Sequence, residues 1–257
     1  MIAALDHDDP LLEFLLRMGD SAVVLGQRLS EWCGRAPALE EDIALANVAL
    51  DLIGQAQMWL GHAAEIAGDG LDADALAMRR DVLDYRNLLL VEQPNGDFGQ
   101  TAMRSYLFDA WHVLRLAGLD GSADPRVAAV AAKAGKEAAY HLDRSRGTVI
   151  ALGDGTAESR ARMQAALDRL WPYAAEMFEA DDGDAALAAR GIAPAPDTLR
   201  ADWTAEVEAT LAAATLTAPP IGRPRTGGRS GRMHSEHLGH LLAQMQFLQR
   251  AYPGATW

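Results

Sequence analysis

The chain has 257 residues, 49% of them hydrophobic, enough to build a sizeable core in one large helical domain spanning 1–257. A formal net charge of −13, with the acids spread throughout, argues against nucleic acid and anionic membrane as partners, because both demand a broad basic surface. The one cysteine, Cys33, rules out an intrachain disulfide framework and fits a reducing compartment.

The opening residues Met1-Ile2-Ala3-Ala4-Leu5-Asp6 are acidic and too short for a secretory signal. Asp9-Pro10 predicts a helix start, with Asp as N-cap and Pro in the first helical position. Apolar residues from Leu12 to Trp32 recur at helical spacing, and the helix is expected to end near Cys33-Gly34, where the thiol packs inward and stays inert. Pro37 opens a second helix that runs to about Ile66 and stops at Gly68, with Glu40, Glu41 and Asp42 in its first turn. Between Ile43 and Ala64 its only charge is Asp51, which predicts a helix buried on most sides. A shorter helix is expected over about Leu71–Leu90, closed by the breaker Glu92-Gln93-Pro94-Asn95-Gly96-Asp97. Long helices follow at about Phe98–Ala117 and, after Asp124-Pro125, up to about Gly153. Further helices are expected at about Ala157–Leu170, broken by Pro172, at Leu199–Ala213 and at Ser235–Ala251, with a Pro, Gly and Arg-rich linker over Ala218–Arg232. No strand pattern appears, so the class is all-α, a helical bundle with additional C-terminal helices.

Four-helix bundles of this length often hold two metal ions between Glu residues and Glu-x-x-His pairs, in which acid and imidazole share a helix face one turn apart. No Glu stands three residues before any of the seven histidines, and only Asp109 before His112 comes close. The nearest ligand-like positions are Asp20, Asp51, Asp109 and His141 on the four long helices. Gly54 stands where a histidine would accompany Asp51, and Ala138 where an acid would accompany His141. These polar residues read as a satisfied buried network first, then as a single weakly bound metal site at Asp20, Asp51, Asp109 and His141, and least as an intact two-metal site. In the first reading Asn47, Asp51 and Gln55 form a stripe with Arg17, Arg104 or Lys136 as partners.

Two other constellations stand out. His234, His237 and His240 are spaced by three, so neighbouring pairs can meet but all three cannot share an ion. They cap or pack near a helix start, or a pair with Glu236 takes zinc. Arg223, Arg225, Arg229 and Arg232 are interleaved with glycines, which suits a coenzyme A phosphate, an acidic partner surface, or a solvated loop equally. Trp59, Trp111, Trp171, Trp203 and Trp257 read as core or interface anchors.

The segments Gly26-Gln27-Arg28-Leu29-Ser30-Glu31-Trp32-Cys33-Gly34, Leu88-Leu89-Leu90-Val91-Glu92-Gln93-Pro94-Asn95-Gly96 and His234-Ser235-Glu236-His237-Leu238-Gly239 resemble the C-subunit family of the phenylacetyl-CoA 1,2-epoxidase (phenylacetate-CoA oxygenase) complex. Phe108-Asp109-Ala110-Trp111-His112 and Lys136-Glu137-Ala138-Ala139-Tyr140-His141-Leu142 carry the same likeness, which extends from about Leu12 to Trp257. The resemblance implies a ferritin-like fold and a non-catalytic structural subunit without a cofactor of its own. It implies a homologous catalytic A subunit as partner, alongside the other subunits of the complex. That partner would carry the di-iron centre, bind phenylacetyl-CoA and epoxidise its ring in the bacterial cytoplasm. Self-association is a further expectation. The alternative is a metal-dependent oxidase or oxygenase using the reduced ligand set of this chain.

Overall fold

In the computed structural model, which describes residues 5–220 and 222–255, the chain forms α-helices joined by turns and short 3-10 segments. They are α1 (Pro10–Ser30), α2 (Leu39–Ala67), α3 (Ala73–Met78), α4 (Leu89–Glu92), α5 (Phe98–Ala117) and α6 (Pro125–Gly153). Then come α7 (Ala157–Ala174), α8 (Asp182–Ala189), α9 (Arg200–Ala213), α10 (Glu236–Met245) and α11 (Phe247–Ala251). No strand occurs among the described residues. The helix starts follow from side-chain caps. Asp9 accepts from the Leu11 and Leu12 amides, Asp97 from Gln100, and Asp124 from Arg126 and Val127, each satisfying N–H groups that the first turn leaves open.

The chain divides into two compact units, one built from Met1–Pro94 with Thr226–Trp257, the other from Asn95–Arg225. In the first, α1 packs closely on α2 because glycines face it: a Cβ on Gly19 would collide with Leu60, and one on Gly26 would press on the Ala49 carbonyl. Phe14 meets Trp59 edge-on in that seam, and Trp59 is fully buried. In the second unit, indole N–H groups tie helices to neighbouring backbone. Trp111 Nε1 donates to the Met177 carbonyl at 3.1 Å and Trp203 Nε1 to the Leu107 carbonyl at 3.2 Å. Trp171 is half-buried, and Trp257 lies outside the described residues.

Five expectations need correction. The single helix over Leu71–Leu90 does not form; α3 ends at Met78, a 3-10 turn covers Val82–Asp84, and Tyr85–Leu88 runs on without helix. Arg80 causes this, since its Nε takes the Leu76 carbonyl and its Nη1 the Asp84 carbonyl. The amides beyond are claimed by α1 side chains, Arg86 N by Asp20 and Leu88 N by Ser21. Pro172 does not break its helix; α7 continues to Ala174 and tightens into a 3-10 turn, while the Pro172 carbonyl accepts from Arg225 N at 2.9 Å. The last helix is interrupted at Gln246, whose buried amide turns away to donate to the Ala77 and Arg80 carbonyls. Cys33 is exposed, because it falls in the turn after α1 rather than on its packed face. Finally, α2 is buried on one side only: Leu39, Ile43 and Leu50 stay 72%, 53% and 66% exposed. By length and composition α2 alone among the described residues could cross a membrane, a test that core helices also pass. The short α8 has no counterpart among the sequence expectations; Asp181 and Asp184 cap it reciprocally.

Candidate functional site

Asp20 has no exposure at all on α1, and both oxygens of its carboxylate accept hydrogen bonds. The Arg80 guanidinium grips both oxygens, with Nη1 at 3.0 Å from Oδ2, and the Arg86 amide donates to the same Oδ2 at 2.8 Å. Burial opposes the charge on Arg80, but Asp20 outweighs it and holds the guanidinium above its ordinary range. The Arg80 guanidinium also lies 4.5 Å from the Tyr85 ring centroid, so it closes a fully desolvated knot. A carboxylate whose two oxygens are held by a buried guanidinium and a backbone amide already has its charge paired, and a metal would have to displace the arginine. Asp20 therefore does not fit the ligand role.

Asp51 is half-buried on α2, in a stripe that starts at the surface with Asn47 and ends inside with Gln55. Of the suggested partners, Arg17 Nε donates to the Arg229 carbonyl, Arg104 Nη2 to Asn95 Oδ1, and Lys136 is exposed.

The second unit does bring two candidates together. Asp109 and His112, one turn apart on α5, and His141 of α6 are all buried, and the Ser145 hydroxyl hydrogen-bonds the Asp109 carboxyl. Burial pushes the Asp109 carboxyl up to about 6, against the pull of His141, Ser145 and Arg144. Burial also pushes His112 down to about 3, helped by repulsion from His141. His112 stacks on Trp111 at a centroid distance of 6.2 Å and meets Phe108 at a tilt, 5.0 Å away. No group of three or more His, Cys, Asp or Glu side chains stands in metal-binding geometry among the described residues.

These positions make a pH prediction. A carboxyl whose pKa is raised on folding makes the folded state bind more protons between about 3.8 and 6, so stability is lost as pH rises through that window. The difference is worth about 3 kcal/mol once Asp109 is ionised. Asp109→Asn is thus expected to stabilise the chain well above pH 6, with the gain vanishing below about pH 4, read as guanidinium midpoints across pH. His112 acts oppositely, losing stability as pH falls from 6.5 toward 3 in both proteins, so it cancels in the comparison.

The histidine triplet separates. His234 precedes α10, and its buried ring has Nδ1 at 2.9 Å from Glu92 Oε2 and Nε2 at 3.1 Å from the Tyr85 carbonyl. Glu92 itself is fully buried and also accepts from Asn87 Nδ2 and the Ser235 amide. Arg28 Nη2 adds bonds to the Glu92 and His237 carbonyls, while His240 and Glu236 are exposed. His234 packs, in keeping with the first of its two readings. The arginines separate too: Arg223 and Arg225 are exposed in the second unit, whereas Arg229 is buried and Arg232 exposed in the first. Arg80, Arg86 and Glu92 escape a reading of the sequence for site residues. A lone acid after the apolar run Leu88–Val91 is the available signal for Glu92.

An all-α chain with carboxylates and imidazoles buried on its long helices is of the ferritin-like class. The chain belongs to the family described as phenylacetic acid catabolic protein, which it matches over residues 3–257. It is 54% identical over 247 residues to a protein from Escherichia coli (strain K12) named as the C subunit of 1,2-phenylacetyl-CoA epoxidase, covering 96% of this chain and 99% of that one.

Proposed function

We propose that this chain is the structural, non-catalytic C subunit of a phenylacetyl-CoA 1,2-epoxidase in aerobic phenylacetate breakdown. The observation that carries the reading is the 54% identity, spread over nearly the whole of both chains, with a protein that bears that name. The knot at Asp20 supports it, since a position that could have supplied a metal ligand is committed to Arg80 and to the Arg86 amide. In this reading the oxygen chemistry belongs to a catalytic A subunit that carries the di-iron centre and binds the thioester. This chain contributes a folded surface, for which the exposed Leu39, Ile43 and Leu50 of α2 are the available apolar material. Coenzyme A thioesters are made and consumed in the cytoplasm, which supports a location there.

One observation favours a second reading, an oxidase with its own metal: Asp109, His112 and His141 are buried on facing helices. Co-expression with the A subunit separates the two. The structural reading expects a stable complex in size-exclusion chromatography, and it expects iron to follow the A subunit when the chains are purified apart. Separate elution at micromolar concentration, or stoichiometric iron on this chain that Asp109→Ala and His141→Ala remove, would favour the alternative.

A further inference from the structure

The second unit holds a cavity of about 360 Å³ that neither the buried carboxylates nor the subunit assignment uses. Its walls are aromatic and aliphatic. Trp171 and Trp203 meet at 5.7 Å, and Phe178 stands edge-on to Trp203 at 5.2 Å. Val207 and Thr204 of α9 also line it, as do Pro219 and Pro224. The size and lining are those of a small-molecule site rather than a packing defect.

The mouth is basic. Arg200 lines it, with its guanidinium 4.6 Å from the Phe178 ring centroid and no acidic partner among the described residues. Arg223 sits between two lining residues, Gly222 and Pro224, and is exposed. Arg225 lies over Tyr173 at 5.8 Å, and its backbone N–H donates to the Pro172 carbonyl at 2.9 Å. The only acid in the lining is Glu208, two turns along α9 from Arg200. An apolar ring fits the interior, and a single negative charge fits the Arg200 end. Glu208 repels a second one.

We propose that this cavity binds a small aryl carboxylate anion, with its ring against Trp171 and Trp203 and its carboxylate on Arg200. The proposal does not depend on the subunit assignment. In an acidic chain, an arginine in the cavity wall, with Arg223 next to two lining residues in sequence, favours anions there.

The test is calorimetric titration of the full-length chain with phenylacetate, phenylacetamide and 2-phenylethylamine, which share a ring and differ in charge. Phenylacetate is expected to bind about tenfold or more tightly than either analogue. Arg200→Gln, at an exposed position, should erase that preference while the ring still binds weakly. Thr204→Trp fills the cavity from its wall and should abolish binding altogether. Equal affinity for the three probes, no saturable heat with phenylacetate, or binding that survives Thr204→Trp would overturn the proposal.

Discussion

Arg80→Met is expected to cost about 3–5 kcal/mol of unfolding free energy, because it strands the fully buried Asp20 carboxylate. Water cannot reach Asp20, and only the Arg86 amide would still serve it. The same substitution frees the Leu76 and Asp84 carbonyls, so the turn after α3 should loosen as well. Asp20→Asn combined with Arg80→Met should recover much of the loss, since a neutral amide can still accept from Arg86 N. The measurement is the guanidinium midpoint at constant slope. A loss under about 1 kcal/mol for the single variant would show that the knot is not a desolvated ion pair.

Glu92→Ala should be nearly as severe, about 4 kcal/mol, for a different reason. Glu92 is the common acceptor for Asn87, His234 and the Ser235 amide, and all three donors would be left without it. His234 also faces the Tyr85 carbonyl, so both its ring nitrogens point at acceptors. Glu92→Gln keeps the shape and one accepting oxygen and should cost roughly half as much. Limited proteolysis reads the local effect: residues after Thr226 should become cleavable in Glu92→Ala before the rest of the chain does. Uniform loss of protection would argue that Glu92 holds no particular segment.

Where local signals decide structure, the sequence is legible. Asp9-Pro10, Asp97 and Asp124-Pro125 start α1, α5 and α6, and Gly68 ends α2, because caps and breakers act within one turn. Long-range partners decide the rest. A helix former over Leu71–Leu90 loses to bonds between Arg80, Arg86 and an aspartate some sixty residues earlier, which no periodicity encodes. The same holds for the site. Asp20, Asp109 and His141 stand out in the sequence as unusual polar residues on apolar helices, and all three are buried. That Asp20 belongs to an ion pair, whereas Asp109 and His141 share a pocket with Ser145, depends on neighbours that the sequence alone does not identify.

The unit that contains α1 and α2 draws its last part from the opposite end of the chain, after the whole of Asn95–Arg225 has been made. A ribosome therefore releases α1 to α4 long before the residues that complete them. Arg28 must wait for the His237 carbonyl, Arg17 for that of Arg229, and Glu92 for His234 and the Ser235 amide. Meanwhile the central segment can close on itself. The earliest-made helices therefore complete their bonds only after Thr226 and the residues beyond it have been made. A chain that terminates early near Arg225 would carry its damage more than a hundred residues away, in α1 and α4, rather than beside the cut.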